Sequence, residues 1–238
     1  APGTRCALEH GGAAPVIVAE DADLDAMLPL LAKGGFYHAG QVCVSVQRIF
    51  AHQSIAETIA KKLSEMADTL IVGNPADPAT EVGPMIRHEE TDRVEKWVEE
   101  AVAAGAELIT GGEKISAALY KPTVLLNPPT DVSLSKNEVF GPVVSVFSCK
   151  NMEEAINMAN DVPFSFQASV MTQDIDKAMY AYRHLNASAV MVNDHTAFRV
   201  DWMPFTGLRQ SGYGVGGIPY TYDDMQIEKM LVVKSKNL

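Results

Sequence analysis

A lone cysteine and a glutamate, each set in a turn of small residues, are the side chains of this sequence best suited to covalent chemistry. Cys43 lies in Gly40-Gln41-Val42-Cys43-Val44-Ser45, and Glu9 lies 34 residues earlier in Leu8-Glu9-His10-Gly11-Gly12. A thiolate adds to a carbonyl carbon, and a carboxylate activates the water that later releases the product. The pair therefore indicates covalent oxidation of an aldehyde.

Each of the two residues also has a simpler interpretation. Most free cysteines are inert, buried packing residues, and most glutamates are ordinary loop carboxylates. The small residue Gly40 favours the chemical interpretation, because it allows close approach of the backbone beside the thiol. Main-chain N–H groups at such a junction stabilise both a thiolate and an oxyanion.

Composition narrows the possible partners and the compartment. The 238 residues are 47% hydrophobic with a formal net charge of -11, and no cluster of Lys or Arg offsets that charge. Binding to nucleic acid or to an anionic membrane surface is therefore not expected. The three cysteines, Cys6, Cys43 and Cys149, are too few for a disulfide framework or a zinc site. We predict a reducing cytoplasm, no metal, and packing roles for Cys6 and Cys149.

The N-terminus lacks an initiator methionine and a signal-peptide core, and the chain opens almost directly onto a strand pattern. We expect a C-terminal fragment of a longer protein. The alternative is a complete protein whose initiator methionine has been removed.

Strand-length apolar runs alternate with helical patterns along most of the chain. This alternation predicts an α/β fold with a mainly parallel twisted sheet and helices on both faces. The predicted strands cover residues 15–18, 46–51, 108–110, 122–126, 142–147, 167–172 and 189–192. The predicted helices cover residues 24–38, 54–71, 89–104, 152–159 and 175–185.

The C-terminal part departs from this alternation. A glycine-rich loop over residues 207–217 is followed by a predicted helix at 223–228 and a predicted edge strand at 230–234. An edge strand has unpaired backbone groups, so we expect it to pair with a partner subunit. We assign residues 1–218 to a catalytic domain, with 1–14 as its boundary segment, and 219–238 to an oligomerisation helix and strand.

Four segments resemble motifs of the NAD(P)-dependent aldehyde dehydrogenases. They are the Cys43 and Glu9 segments, Asn137-Glu138-Val139-Phe140-Gly141-Pro142, and residues 204–212. The similarity extends from about Arg5 to Lys234. Three positions depart from the family pattern: His10 replaces the usual leucine, Thr206 replaces a glycine, and Arg209 replaces a lysine. The sequence leaves open whether His10 tunes the neighbouring carboxylate or fills space.

The resemblance implies roles for particular residues. It makes Cys43 the nucleophile and Glu9 the general base, with NAD or NADP as cofactor. It places Glu138 on the nicotinamide ribose and Phe140 beside the nicotinamide. Asn193 matches an asparagine at the floor of the family's active site, although a structural turn asparagine is an equal alternative.

The substrate pocket is expected at Phe198, Arg199 and Phe205, with Phe205 lining the aldehyde tunnel. A guanidinium can hold a carboxylate, phosphonate or phosphate through two hydrogen bonds, so Arg199 suggests an anionic aldehyde. The alternative is that Arg199 pairs with Asp201 or with a neighbouring subunit. Residues 44–48 and Phe198-Arg199 most resemble the branch acting on lactaldehyde, phosphonoacetaldehyde and glyceraldehyde 3-phosphate.

In that family, the N-terminal half carries a Rossmann-type cofactor domain and the side-chain amide that completes the oxyanion hole. We therefore expect negligible dehydrogenase activity from this chain alone, and a homodimer or homotetramer formed through the C-terminal strand. Two other functions stay open: a CoA-acylating semialdehyde dehydrogenase and a non-catalytic scaffold homologue. The sequence does not distinguish NAD from NADP.

Overall fold

A seven-stranded sheet forms the centre of the structure, a computed structural model that describes residues 2–4 and 6–237. Arg5, where the family resemblance begins, lies outside the described residues. The strand order is β3-β4-β5-β2-β1-β7-β8, and every neighbouring pair is parallel except β3 with β4. The predicted α/β class with a mainly parallel sheet is confirmed. These strands are β1 Pro15–Val18, β2 Arg48–His52, β3 Glu107–Thr110, β4 Thr123–Leu126, β5 Val143–Cys149, β7 Gln167–Met171 and β8 Ala189–Val192.

Four shorter strands form two antiparallel pairs beside the main sheet. One pair joins β6 Phe164–Ser165 to β10 Leu208–Arg209, and the other joins β9 Phe205–Thr206 to β11 Val215–Gly216. They organise the glycine-rich part of the chain, which the sequence predicts only as an irregular loop.

Helices cover both faces of the sheet because side chains alternate between the faces along each strand. Val16 and Val18 point into one core with Leu31 and Leu63, whereas Ile17 points into the other. The described helices are α1 Leu24–Phe36, α2 Ala56–Thr69, α3 His88–Ala103, α4 Ser133–Lys136, α5 Met152–Asn160, α6 Ile175–His184 and α7 Ile218–Asp224.

The helix predicted at residues 24–38 ends two residues early, immediately before the nucleophile segment. Tyr37–Gly40 forms a tight turn in which His38 and Ala39 have left-handed φ values of 51° and 55°. Gly40 has a φ of 66°, and a Cβ at that position would collide with the carbonyl oxygen of Gly141. The turn therefore brings the Cys43 segment against the segment that follows Glu138.

The bounds predicted for the tail helix are wrong. The last helix spans Ile218–Asp224 rather than residues 223–228, because Pro219 supplies a fixed φ in the first helical turn. Residues 226–235 form neither helix nor strand in the single chain, so the edge strand expected to pair with a partner subunit stays a prediction. Their apolar side chains are exposed, as with Met230 at 86% and Leu231 at 84%.

No helix within residues 2–4 and 6–237 combines the length and apolar character that crossing a membrane requires.

Candidate active site

The segments that carry the predicted catalytic residues meet because each one precedes a strand of the parallel sheet. Residues 9–14 lead into β1, residues 41–47 into β2, and residues 137–142 into β5, and these three strands are adjacent in the order β5-β2-β1. Parallel neighbours place their amino ends at the same sheet edge. Ligands of open α/β sheets more often bind at the carboxyl ends, so this site uses the opposite edge.

Cys43 lies in a turn that is fixed from both sides. The N–H of Ser45 donates to the carbonyl oxygen of Val42 at 2.9 Å, and the Ser45 hydroxyl donates to the carbonyl oxygen of Gly34 at 2.9 Å. The buried hydroxyl of Thr196 donates to the carbonyl oxygen of Val44 at 2.7 Å. Cys43 itself is half-buried, so its thiol is neither sealed in the core nor fully solvated.

Burial and several nearby charged groups shift the pKa of the Cys43 thiol. Burial raises the thiol pKa, and the carboxylate of Glu138 raises it further. The cysteine's own main-chain N–H and the guanidinium of Arg199 lower it, whereas Glu9 raises it. Glu9, Glu138 and Arg199 thus lie close enough to the Cys43 thiol to act on it electrostatically. The balance in the free chain favours the protonated thiol.

Glu138 is anchored to the segment that carries Glu9. The N–H of Gly12 donates to Oε1 of Glu138 at 3.0 Å, and a Cβ on Gly11 would lie 3.0 Å from both carboxylate oxygens. Gly11 therefore leaves the space that the carboxylate occupies. Burial raises the pKa of Glu138, opposed by the Gly12 N–H and by Arg93.

Gln47, to which sequence analysis assigned no role, fixes the Glu138 segment. Its Nε2 donates to the carbonyl oxygens of Leu134 at 3.1 Å and Asn137 at 2.7 Å, and its Oε1 accepts from the N–H of Val139 at 3.0 Å. All of these partners are main-chain groups flanking Glu138. The sequence signal for this role was weak: Gln47 is a polar amide just before the mainly apolar strand β2.

Arg48 performs the corresponding task for the Glu9 segment. It is 2% exposed, and its guanidinium donates twice to the carbonyl oxygen of Ala13, at 3.0 and 2.7 Å, and once to that of Ala159 at 3.1 Å. Burial lowers its pKa to about 9, so the group stays charged at neutral pH. Both residues that position the site therefore lie within five residues of Cys43.

Glu9 is exposed, and the preceding Leu8 is 51% exposed. The neighbouring residues therefore do not shield this carboxylate from solvent in the described chain. Its exposure gives water direct access to the carboxylate, which a residue that activates water requires.

Two of the three predicted substrate-pocket residues, Arg199 and Phe205, stack on each other. The guanidinium carbon of Arg199 lies 4.2 Å from the ring centroid of Phe205, and the Phe166 ring meets Phe205 edge-on at 4.7 Å. Among the described residues, Arg199 forms no ion pair, so pairing with Asp201 is not observed. Phe198 is 42% exposed beside it.

Asn193 makes structural contacts. Its Oδ1 accepts from the N–H of Thr172 at 2.9 Å, and its Nδ2 donates to the carbonyl oxygen of the same residue at 2.9 Å. Its φ of 56° reverses the chain after β8, at the carboxyl edge of the sheet. These contacts favour the structural alternative over a role at the active-site floor.

The other two cysteines differ from each other. Cys149 is buried, with its sulfur 3.7 Å from that of Met158, as its predicted packing role requires. Cys6 is exposed, so the same role predicted for it is wrong. Its apolar neighbours in the sequence do not form a strand.

Two residues at the mouth of the site fit an NAD(P) cofactor. Glu138 presents a carboxylate of the kind that binds a ribose diol, held over Gly11 and Gly12. Phe140 has a φ of 48° and is 39% exposed, so its ring is available to a planar partner. Both flank the Cys43 segment.

Known proteins resemble nearly all of this chain. A family model described as the aldehyde dehydrogenase family matches residues 1–231. The 3-sulfolactaldehyde dehydrogenase of Priestia aryabhattai is 41% identical over 96% of this chain and 48% of its own length, and the lactaldehyde dehydrogenase of Methanococcus vannielii is 39% identical over 96% and 49%. The chain thus spans about half the length of these curated relatives.

A solved structure gives the same result. The glyceraldehyde-3-phosphate dehydrogenase GapN of Methanocaldococcus jannaschii, complexed with NADP, superposes with a TM-score of 0.87 and 40% identity. The match covers 91% of this chain and 47% of that one.

Proposed function

The chain belongs to the aldehyde dehydrogenase family, and from this premise we propose that it forms the catalytic half of an enzyme that oxidises an aldehyde to a carboxylic acid with NAD(P)+. The observation that carries this proposal is that the Glu9, Cys43 and Glu138 segments meet at one sheet edge, where Glu9, Glu138 and Arg199 all act electrostatically on the Cys43 thiol. A nucleophile, a water-accessible carboxylate and a ribose-binding carboxylate at one sheet edge are the components that this reaction needs.

The Cys43 thiol first gives its proton to solvent, and the thiolate then attacks the aldehyde carbon to form the oxyanion of a thiohemiacetal. The main-chain N–H of Cys43, which already stabilises the thiolate, donates to the developing oxyanion. A cofactor held at Glu138 and Phe140 would supply the acceptor for the hydride that leaves this carbon. The carbonyl then re-forms as a thioester on Cys43. Glu9 removes a proton from water, which adds to the thioester carbon, and the C–S bond breaks to release the acid and the thiolate.

Glu138 and Phe140 hold the cofactor side of the site. The Glu138 carboxylate accepts hydrogen bonds from the ribose hydroxyls while Gly12 keeps it in place. Gln47 acts through Glu138 as a positioning residue, because its amide fixes the main chain on both sides of that carboxylate.

The substrate is an aldehyde with an anionic group, held by Arg199. The guanidinium is exposed, carries no ion pair in the described chain, and acts electrostatically on the Cys43 sulfur. Two similar proteins are named for sulfonate- and phosphate-bearing aldehydes, and one for neutral lactaldehyde. A substrate panel on the longer protein, comparing wild type with Arg199→Ala, tests this point. Preference for neutral aldehydes, together with no effect of the substitution, would contradict it.

An ester substrate tests the nucleophile and base in this chain without a cofactor. With p-nitrophenyl acetate we expect acetylation of Cys43 followed by slow hydrolysis. Cys43→Ser abolishes labelling, whereas Glu9→Gln leaves acetylation intact and makes the acetyl-enzyme accumulate, as mass spectrometry would detect. Equal hydrolysis by Glu9→Gln and wild type would remove Glu9 as the base.

Three further points belong to the same proposal. The chain alone has negligible NAD(P)-dependent turnover, which absorbance of the reduced cofactor would measure. Residues 230–234 pair with a second copy and give a homodimer or homotetramer. Free thiols at Cys6, Cys43 and Cys149 suit a reducing compartment such as the cytoplasm.

A further inference from the structure

His10 is the most unusual buried polar residue near the site. It is 5% exposed, and neither ring nitrogen has a hydrogen-bond partner among the described residues. A buried polar group without a partner costs about 1–3 kcal/mol. An aliphatic residue of similar size would fill the same space without that cost, so stability alone does not account for an imidazole here.

The surrounding backbone is built to accept this ring. A Cβ on Gly207 would lie 2.7 Å from Nδ1 of His10, and a Cβ on Gly212 would lie 2.8 Å from the same atom. Gly212 also has a φ of 117°, which strongly favours glycine. The loop that carries Phe205 therefore closes directly onto the residue after Glu9.

The ring faces two aromatic neighbours. Its centroid lies 5.6 Å from that of Phe166 and 6.0 Å from that of Phe205, both at tilted angles. Phe205 thus contacts the rings of both His10 and Phe166. The guanidinium carbon of Arg199 lies 4.2 Å from the centroid of the Phe205 ring. Tilted aromatic pairs have preferred geometries that an aliphatic side chain does not impose.

We propose that His10 is a positioning residue for substrate charge: its ring holds Phe205, and Phe205 holds Arg199 beside Cys43. The proposal rests on the proposed function for the identity of the substrate, an anionic aldehyde. It does not require that oxidation take place, since it concerns only the positive charge at the nucleophile.

Alkylation of Cys43 by two reagents that react by the same mechanism but differ in charge tests the proposal. The test uses this chain without a cofactor or aldehyde. Iodoacetate is anionic and iodoacetamide is neutral, and both consume the same thiolate, so the thiolate fraction cancels in the ratio of their rates. We expect Arg199→Met to lower the iodoacetate-to-iodoacetamide ratio by about three- to tenfold, as one charge several ångströms away in a partly solvated site requires.

His10→Leu should lower the same ratio at least twofold (a rough figure for partial displacement of the same charge), and its melting temperature should equal or exceed that of wild type. Phe205→Leu should lower the ratio as well. The control is His88→Leu, at an exposed histidine on α3, which should leave the ratio unchanged.

Several outcomes would overturn the proposal. One is a ratio unchanged in His10→Leu or in Phe205→Leu while Arg199→Met lowers it. Another is failure of His10→Leu to fold, which would make the ring a packing residue. An unchanged ratio in Arg199→Met would overturn it too, and would count against the anionic substrate. Absence of aldehyde oxidation by the longer protein, with the ratios as expected, would instead contradict the proposed function alone.

Discussion

The N–H of Gly12 donates a 3.0 Å hydrogen bond to the carboxylate of Glu138, across the amino end of the strand that follows Cys43. Because β2 lies between β1 and β5, this bond joins the two segments on either side of the nucleophile segment. The segment that carries Glu9 and the segment that carries Glu138 are therefore joined by a direct hydrogen bond. A substitution of Glu138 should therefore change the pKa of the Cys43 thiol.

Replacing Glu138 with glutamine should lower the pKa of the Cys43 thiol, because Glu138 raises it in the wild-type chain. Glutamine keeps an oxygen that accepts from Gly12, so the fold of the segment is retained. We expect iodoacetamide to alkylate Cys43 at neutral pH about two- to tenfold faster, since one nearby negative charge is removed. The pH profile of alkylation, followed by peptide mass spectrometry, measures the change.

Arg199→Met should move the same pH profile in the opposite direction, because the guanidinium lowers the thiol pKa. Glu107→Gln, at an exposed carboxylate on β3, serves as the control and should leave the profile in place. If Glu138→Gln and Arg199→Met shift the profile in the same direction, the electrostatic description of the site is wrong.

The three cysteines should differ clearly in their rates of alkylation in the folded chain. Burial raises the pKa of the Cys149 thiol to about 12, and the residue is 1% exposed, so it should not react until the chain unfolds. Cys6 is exposed and should react as a solvated thiol does. Peptide mapping after brief alkylation, with and without denaturant, gives the comparison. Rapid native labelling of Cys149 would contradict the packing found here.

Gln47→Ala should destabilise the chain by about 2–4 kcal/mol, because three hydrogen bonds to main-chain groups are lost and the buried N–H of Val139 is left unpaired. The free energy of unfolding from a urea titration measures this. Gln53→Ala is the matched control, since Gln53 is exposed and its side chain makes no described hydrogen bond. Equal stability of the two variants would remove Gln47 from its positioning role.

Much of the sheet was predictable because strands such as β1 and β8 are short apolar runs bounded by turn residues, and their predicted bounds match the structure. Asn151, of a residue type favoured at helix N-termini, caps α5, with its side chain accepting from the N–H of Glu154. Local patterning determined these elements, so local patterning was sufficient to predict them.

The site was only partly predictable, since residues such as Gln47 and Arg48 act over long sequence separations. Gln47 binds main-chain groups 87 to 92 residues away, and no local pattern identifies such partners. The exposure of Cys6 was missed for a related reason, because short apolar neighbours do not show whether a segment packs. The strand predicted at residues 230–234 differs again, since its pairing would depend on a partner subunit and not on this chain's sequence alone.

Deleting residues 225–238 should reduce the oligomer to a monomer while leaving the unfolding free energy of the remaining chain nearly unchanged. The deleted segment contributes exposed side chains such as Met230, Leu231 and Val232, at 81% to 86%, and contains neither helix nor strand where the structure describes it. Leu231→Pro should weaken assembly in the full chain, because proline removes a backbone donor that strand pairing would use. Ile86→Ser, at a residue 79% exposed outside the tail, should leave assembly intact. Sedimentation velocity measures all of these, and an unchanged mass after the deletion would mean that the copies associate through another surface.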